Sequence, residues 1–232
     1  MIVPGVDLAT FGVLAMLGTV LGLDGVTVGQ AMLSRPLVGA TLAGLVCGAP
    51  GPALVAGVLL EAVALETLPV GASRYPDWAP AGVAAGTIAA VATPLMPALT
   101  LALLAGIVVA WSSGRSMVVL RHANGRRIAA AQAALAAGDA TMPASLVWRG
   151  IAGDAARAAA MAALALAIVP VAVWIAARWR LDPFTTGAVT AVSALMVTAS
   201  STRQMFHGAS LARPLFAAAL VVGIAVVAVR YG

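Results

Sequence analysis

Residues 34–65 read Ser34-Arg-Pro-Leu-Val-Gly-Ala-Thr-Leu-Ala-Gly-Leu-Val-Cys47-Gly-Ala-Pro-Gly-Pro-Ala-Leu-Val-Ala-Gly-Val-Leu-Leu-Glu61-Ala-Val-Ala-Leu65. No side chain between Pro36 and Leu60 is charged, yet Gly48-Ala-Pro-Gly-Pro52 interrupts the run. Proline removes a backbone donor and glycine carries a high entropic cost, so a continuous helix breaks there. Two apolar arms remain, 36–47 and 53–65, each about a dozen residues against the ~20 that one crossing of a bilayer takes. Short, Gly/Pro-interrupted apolar pairs predict re-entrant or discontinuous helices of the kind transporters place around a midplane site. The alternative is two full spans that borrow length from their flanks.

The rest of the chain sets this hairpin in a membrane. Of 232 residues 62% are hydrophobic and 9% charged, where soluble domains carry ~45–50% apolar and ~25% charged residues. That excludes an ordinary soluble domain, and it excludes disorder, which needs low hydrophobicity and high charge. All 13 basic residues are arginine, opposed by 8 acidic ones. In so apolar a chain this excess reads as positive charge at a membrane surface, not as a nucleic-acid footprint. No basic residue precedes the first apolar run, which is therefore expected to persist rather than be cleaved as a signal.

Further charge-free windows cover 8–23, 78–114, 158–177, 183–202 and 214–229. The long window 78–114 contains Pro94 and Pro97 and is predicted to form two elements that turn near 93–97. No period-2 alternation lasts, so the expected fold is all-α: a polytopic transmembrane helix bundle in a single domain. Between Arg115 and Arg157 six arginines face only Asp139 and Asp154. This segment is predicted to be a cytoplasmic amphipathic connection lying on the membrane surface, with a turn at Asn124-Gly125, a helix over 126–137 and Gly138 as its C-cap. Ser34-Arg-Pro-Leu37 is echoed by Ala212-Arg-Pro-Leu215, a weak sign of an internal repeat.

Polar groups inside apolar runs mark candidate sites, because a carboxylate at a helix centre costs roughly 2.5–3.5 kcal/mol on insertion scales and so faces a cavity or a partner. Glu61 stands out: it is either a ligand carboxylate or a structural partner of Arg35 or Arg74. Glu66, five residues on, lies on a different helical face. The irregular stretch from Thr67 to Pro80 holds Gly71, Ala72, Ser73 and Asp77. Gly71 allows close backbone approach to a small ligand, and Ser73 and Asp77 supply acceptors for hydroxyls. Asp77 also fits the N-cap of the next helix. Gln30 is a further candidate, either solvated or facing substrate. Cys47, the only cysteine, reads as a packed thiol. His122 and His207 read as surface residues, with no metal-ligand spacing and no nucleophile–base pair beside them. The sequence carries no P-loop, GxGxxG, HExxH or cysteine pair, so neither an enzyme nor a bound cofactor or metal is expected.

Taken in order, 23–48, Leu59-Leu-Glu61-Ala-Val-Ala-Leu65, Leu68-Pro-Val-Gly71-Ala and Pro76-Asp77 resemble the membrane component IIC of the mannose/sorbose family of the bacterial phosphoenolpyruvate-dependent sugar phosphotransferase system. The resemblance is strongest over 15–92 and continues more loosely to the end. It implies a multi-pass protein of the bacterial inner membrane that binds a sugar and carries it across. The companions would be a membrane subunit IID and the cytoplasmic phosphocarriers IIA and IIB, in an oligomeric complex, with IIB phosphorylating the sugar. Carried over residue by residue, the sugar site would comprise Glu61, Asp77, Gly71, Ala72 and Ser73, with Gln30 and Glu66 nearby. Two departures stand out: Glu66 where the family commonly has glycine, and Arg74-Tyr75 in place of small residues. They leave two other classes open, a divergent paralogue with a sensory or assembly role and an unrelated secondary transporter.

Overall fold

A computed structural model describes residues 6–65 and 74–188, together with 190–192, 195 and 221. Among these the regular elements are helices, in the order α1 (Leu8–Asp24), α2 (Pro36–Val46), α3 (Pro50–Ala64), α4 (Trp78–Val91), α5 (Leu95–Ala130), α6 (Gln132–Ala136), α7 (Met142–Ala167) and α8 (Val169–Ala176). A further helical segment begins at 183.

Proline and glycine punctuation decides the hairpin. Arg35 is the N-cap of α2 and Pro36 occupies its first turn, where the missing N–H costs nothing. At the other end Gly48 takes φ +75°. This lets Gly48 N–H reach Leu45 O at 3.2 Å and Ala49 N–H reach Gly44 O at 2.9 Å. The pattern is a Schellman motif, and it satisfies two backbone N–H groups and two carbonyls at the tip. Pro50 then opens α3. The break is thus three residues, 47–49, shorter than the five of the Gly/Pro cluster, because prolines at a helix start belong to the helix. Cys47 is half-buried and packs against the core, as expected of it.

α4 is the axis of the structure. Every residue from Trp78 to Ala89 is buried, with α1, α2, α3, α5, α7 and α8 packed around it. Small residues make this possible. A Cβ placed on Gly86 would collide with the Ala40 backbone, and one on Gly82 would sit 3.0 Å from the backbone of Pro36. Close backbone approach through small residues is how helices associate where apolar solvent removes the hydrophobic drive. The outer surface is the converse. Leu104, Val108 and Trp111 on α5, Leu164 on α7, and Val171 and Trp174 on α8 are all about half-exposed or more. Small inside and large apolar outside is the arrangement of a protein solvated by lipid.

Two helical stretches, 36 residues over Leu95–Ala130 and 35 over Met142–Ala176, are long and apolar enough to cross a membrane. At 1.5 Å per residue each is about 50 Å long, well beyond a ~30 Å hydrocarbon core. The predicted turn at 93–97 lies at 92–94, between α4 and α5.

Residues 115–157 do not form a separate connecting helix. They are the C-terminal half of α5, the short α6 and the first half of α7, two long helices packed side by side. Asn124 and Gly125 lie inside α5. Turn propensity loses there because Leu120 packs over Gly153, Asn124 lies beside Gly150, and Asn124 Oδ1 accepts from Arg127 Nη1 at 2.8 Å in the next turn. The helix expected over 126–137 is divided at Ala131 between α5 and α6, and Gly138, at φ +79°, ends α6 as expected. The apolar window 158–177 is divided at Ile168, with Pro170 in the first turn of α8.

Candidate functional site

Three segments converge where α4 begins. Asp77 is the N-cap of α4 and accepts from Ala79 N at 3.3 Å. Its backbone N–H donates to Ala110 O of α5 at 2.9 Å. Gly114 allows this approach, since a Cβ there would strike the Tyr75 carbonyl. Asp77 Oδ2 accepts from Ser113 Oγ and from Arg157 Nη1, both at 2.7 Å. Arg157 Nε in turn donates to Asp154 Oδ1 at 2.8 Å, and Asp154 Oδ2 accepts from the Thr27 hydroxyl. Asp77, Ser113, Asp154 and Arg157 are all buried. Two carboxylates share one guanidinium, which leaves a formal charge of −1 inside the protein. Low dielectric makes every one of these bonds strong, and costly to lose.

The loop 25–35 closes over this cluster. Buried Asp24 accepts from Ala31 N at 2.8 Å and from Ser34 N at 3.0 Å. Gly29, Gln30 and Met32 all take positive φ. At the end of the loop Arg35 meets Glu61 of α3: Arg35 Nε donates to Glu61 Oε1 at 2.6 Å, and Arg35 Nη2 contacts the same oxygen. Glu61 Oε2 accepts from Leu37 N at 3.2 Å, in the first turn of α2. The acidic group therefore also answers the positive end of that helix. This pair is about one-fifth exposed.

Between loop and cluster lies a small open cleft of about 60 Å³. Ser34, Arg35, Tyr75, Asp77, Trp78 and Met117 are among its lining residues. Tyr75 is held from behind by Arg121, whose Nη2 donates to the Tyr75 hydroxyl at 2.8 Å while its guanidinium lies over the ring. The indole Nε1 of Trp78 is buried and, among the described residues, has no hydrogen-bond partner. The cleft thus offers aromatic faces, a carboxylate and a guanidinium.

Of the residues expected to form a sugar site, Asp77 lines the cleft and also serves as the N-cap. Glu61 does not line it; it stands behind Arg35, as the structural partner that the sequence left open as the alternative. Gln30 sits exposed on the rim loop, its Nε2 donating to Val26 O at 3.1 Å. Glu66, Gly71, Ala72 and Ser73 lie outside the described residues, as do His207 and the second Arg-Pro-Leu. His122 is exposed on α5, as expected. Sequence reasoning missed Arg157, Asp154, Ser113, Thr27 and Trp78. The signal for the first two was present: Asp154 and Arg157 are three residues apart, on one helical face at the edge of an apolar window. They were assigned to a solvated face with the other arginines.

No family model matches the chain, and no curated protein matches it. Among solved structures, one described as "Structure of membrane protein" superposes with a TM-score of 0.69, covering 97% of this chain and 96% of its own, at 19% sequence identity. At that identity the likeness shows the fold: the helical arrangement described above recurs over nearly the whole length of a solved chain.

Proposed function

We propose that this chain is the membrane translocation subunit, of the IIC type, of a mannose/sorbose-like sugar phosphotransferase system, and that the cleft between loop 25–35 and the start of α4 receives the sugar. One observation carries the reading. The Arg-Pro that opens α2, the glutamate inside α3 and the Pro-Asp that opens α4 are far apart in sequence. They meet at this cleft, Arg35 and Asp77 lining it and Glu61 bonded to Arg35. Carboxylates and guanidinium groups form charge-assisted hydrogen bonds with hydroxyls, and the Tyr75 and Trp78 rings supply apolar faces for the C–H side of a pyranose.

In this reading the chain is multi-pass in a bacterial inner membrane. The α2–α3 hairpin is re-entrant, with α2 at 11 residues reaching only about half the bilayer and its tip closed by internal hydrogen bonds. The arginine-rich ends of α5 and α7 face the cytoplasm, in accord with the positive-inside tendency. The chain performs no phosphoryl transfer. Soluble IIA and IIB partners do so, and a companion IID completes the translocation unit.

The test is phosphoenolpyruvate-dependent uptake of a panel of hexoses and amino sugars in cells that co-express the chain with its IID, IIA and IIB partners. Sugar phosphate is expected inside, and Asp77→Asn is expected to abolish it at normal membrane levels. No uptake of any sugar with all partners assembled contradicts the proposal. A divergent subunit with a sensory or assembly role is the second reading. It draws support from the same pairs, since Glu61 and Asp77 are each already engaged by an arginine.

A further inference from the structure

The rim of the cleft and its carboxylate floor are connected by residues that do not line it. Val26 lines the cleft; Thr27, next along the loop, donates its hydroxyl to Asp154. Asp154 holds Arg157 Nε, and Arg157 Nη1 holds Asp77, which lines the cleft. Rim and floor are thus joined through α7, across more than a hundred residues of sequence.

The rim loop has reason to need such a tether. Gln30 and Met32 are non-glycine residues at φ +52° and +62°, a backbone state that persists only where the surroundings over-determine it. Asp24 holds the far half of the loop, through Ala31 and Ser34. Thr27–Asp154 holds the near half. The other end of the chain of contacts is a carboxylate with capacity to spare. Asp77 Oδ2 accepts two charge-assisted or hydroxyl donors, while among the described residues Oδ1 has only the long contact from Ala79. Oδ1 is therefore the oxygen free to accept from a ligand hydroxyl. Buried hydrogen-bond chains polarise one another, so a donor arriving at Asp77 alters how firmly Arg157 holds Asp154, and Asp154 holds Thr27.

We propose that Arg157, Asp154 and Thr27 are positioning residues that couple ligand occupancy at Asp77 to closure of loop 25–35. The assignment rests on the transport reading for its ligand class, a polyhydroxylated sugar. Coupling between two sites is reciprocal. If the tether strengthens binding, the bound sugar must hold the loop, and both halves can be measured.

The experiment uses the full chain together with a cysteine-free companion IID subunit in lipid nanodiscs, the chain carrying Cys47→Ala and Gln30→Cys, so that the exposed rim position bears the single thiol. Binding of radiolabelled D-mannose, D-glucose and D-glucosamine is read by equilibrium dialysis, and rim closure by the rate of maleimide labelling at position 30. A bound sugar is expected to slow labelling several-fold. Thr27→Val, which leaves every buried charge in place, is expected to weaken sugar binding about tenfold, the cost of one hydrogen bond to a charged acceptor. It is also expected to remove the protection, and Thr27→Ser to restore both. Arg157→Lys keeps the charge but cannot bridge both carboxylates with a fork, and is expected to lose protection as well; if it fails to fold, Thr27→Val decides alone. Sugar binding and protection in Thr27→Val equal to the parent overturn the coupling and leave the transport reading standing. Absence of sugar binding by the parent overturns both.

Discussion

Arg35–Glu61 and Asp77–Arg157–Asp154 lie on two sides of one cleft and are built on different terms. The first joins α2 to α3, is about one-fifth exposed, and balances one cation with one anion. The second joins α4 to α7, is more than nine-tenths buried, and sets two anions against one cation. A partly wet pair gains little from its charge and can exchange partners with a ligand. A dry, unequal cluster cannot, because each member left alone would carry the full desolvation cost. The cleft therefore has one yielding wall and one fixed wall.

The largest expected effect breaks the fixed wall. Arg157→Leu leaves two buried carboxylates without a cation and is expected to cost about 3–5 kcal/mol, read as a collapse of thermal stability in detergent and of protein level in the membrane. Asp154→Asn, which restores charge balance to the cluster, is expected to cost distinctly less. Equal losses would mean that the imbalance is relieved by a route other than the ion pairs.

Next comes the seat of the yielding wall. Gly86→Ala drives a methyl group into the Ala40 backbone and must push α2 away from α4, at about 1–3 kcal/mol. Because Arg35 caps α2, sugar affinity is expected to fall along with the melting temperature. Glu61→Gln is milder. It keeps the acceptor for Leu37 N and loses the charge opposite Arg35, and is expected to cost about 1 kcal/mol in stability. Its effect on sugar binding is expected to exceed its effect on melting, because Arg35 is freed to move in the cleft. A double-mutant cycle of Arg35→Gln with Glu61→Gln checks the comparison, with a coupling near 1 kcal/mol expected.

The smallest effect lies outside both walls. At the turn between α6 and α7 the Thr141 hydroxyl and N–H donate to Asp139 at 2.7 and 2.9 Å, and these bonds hold the Asp139 carboxyl below the ordinary aspartate range. Its small stabilisation is therefore present above the ordinary aspartate value and is lost as pH falls through the lowered one. Thr141→Val is expected to raise the midpoint of the Asp139 carbon-13 titration toward the usual range and to leave sugar affinity unchanged.

Much of the fold was legible because it is written in local chemistry. Proline at a helix start, glycine at φ +75° and a proline-bearing turn before α5 all act within a few residues, so the bounds of α2, α3 and α4 follow from the sequence to within a few positions. Asp77 as an N-cap was legible for the same reason. The pairing of charges was legible only in part. Arg35 was one of two partners open to Glu61, 26 residues away, whereas Arg157 finds Asp77 80 residues away with no local sign of it; helix packing selects both. Asn124-Gly125 shows the opposite failure, a strong turn signal overridden because α5 and α7 pack side by side along it. Arg157 was hidden among the neighbouring arginines: its one distinguishing mark was Asp154 three residues before it, at the edge of an apolar window.

The central claim, that a sugar sits between the yielding and the fixed wall, is tested most directly by a structure of the chain with its companion subunit in nanodiscs at saturating sugar. The account predicts a pyranose in the cleft, with hydroxyls within hydrogen-bond distance of Asp77 Oδ1 and the Arg35 guanidinium, a ring face toward Tyr75 or Trp78, and the Asp77–Arg157–Asp154 ion pairs still formed. A sugar bound elsewhere, with the cleft empty and Arg35 still locked to Glu61, would contradict it.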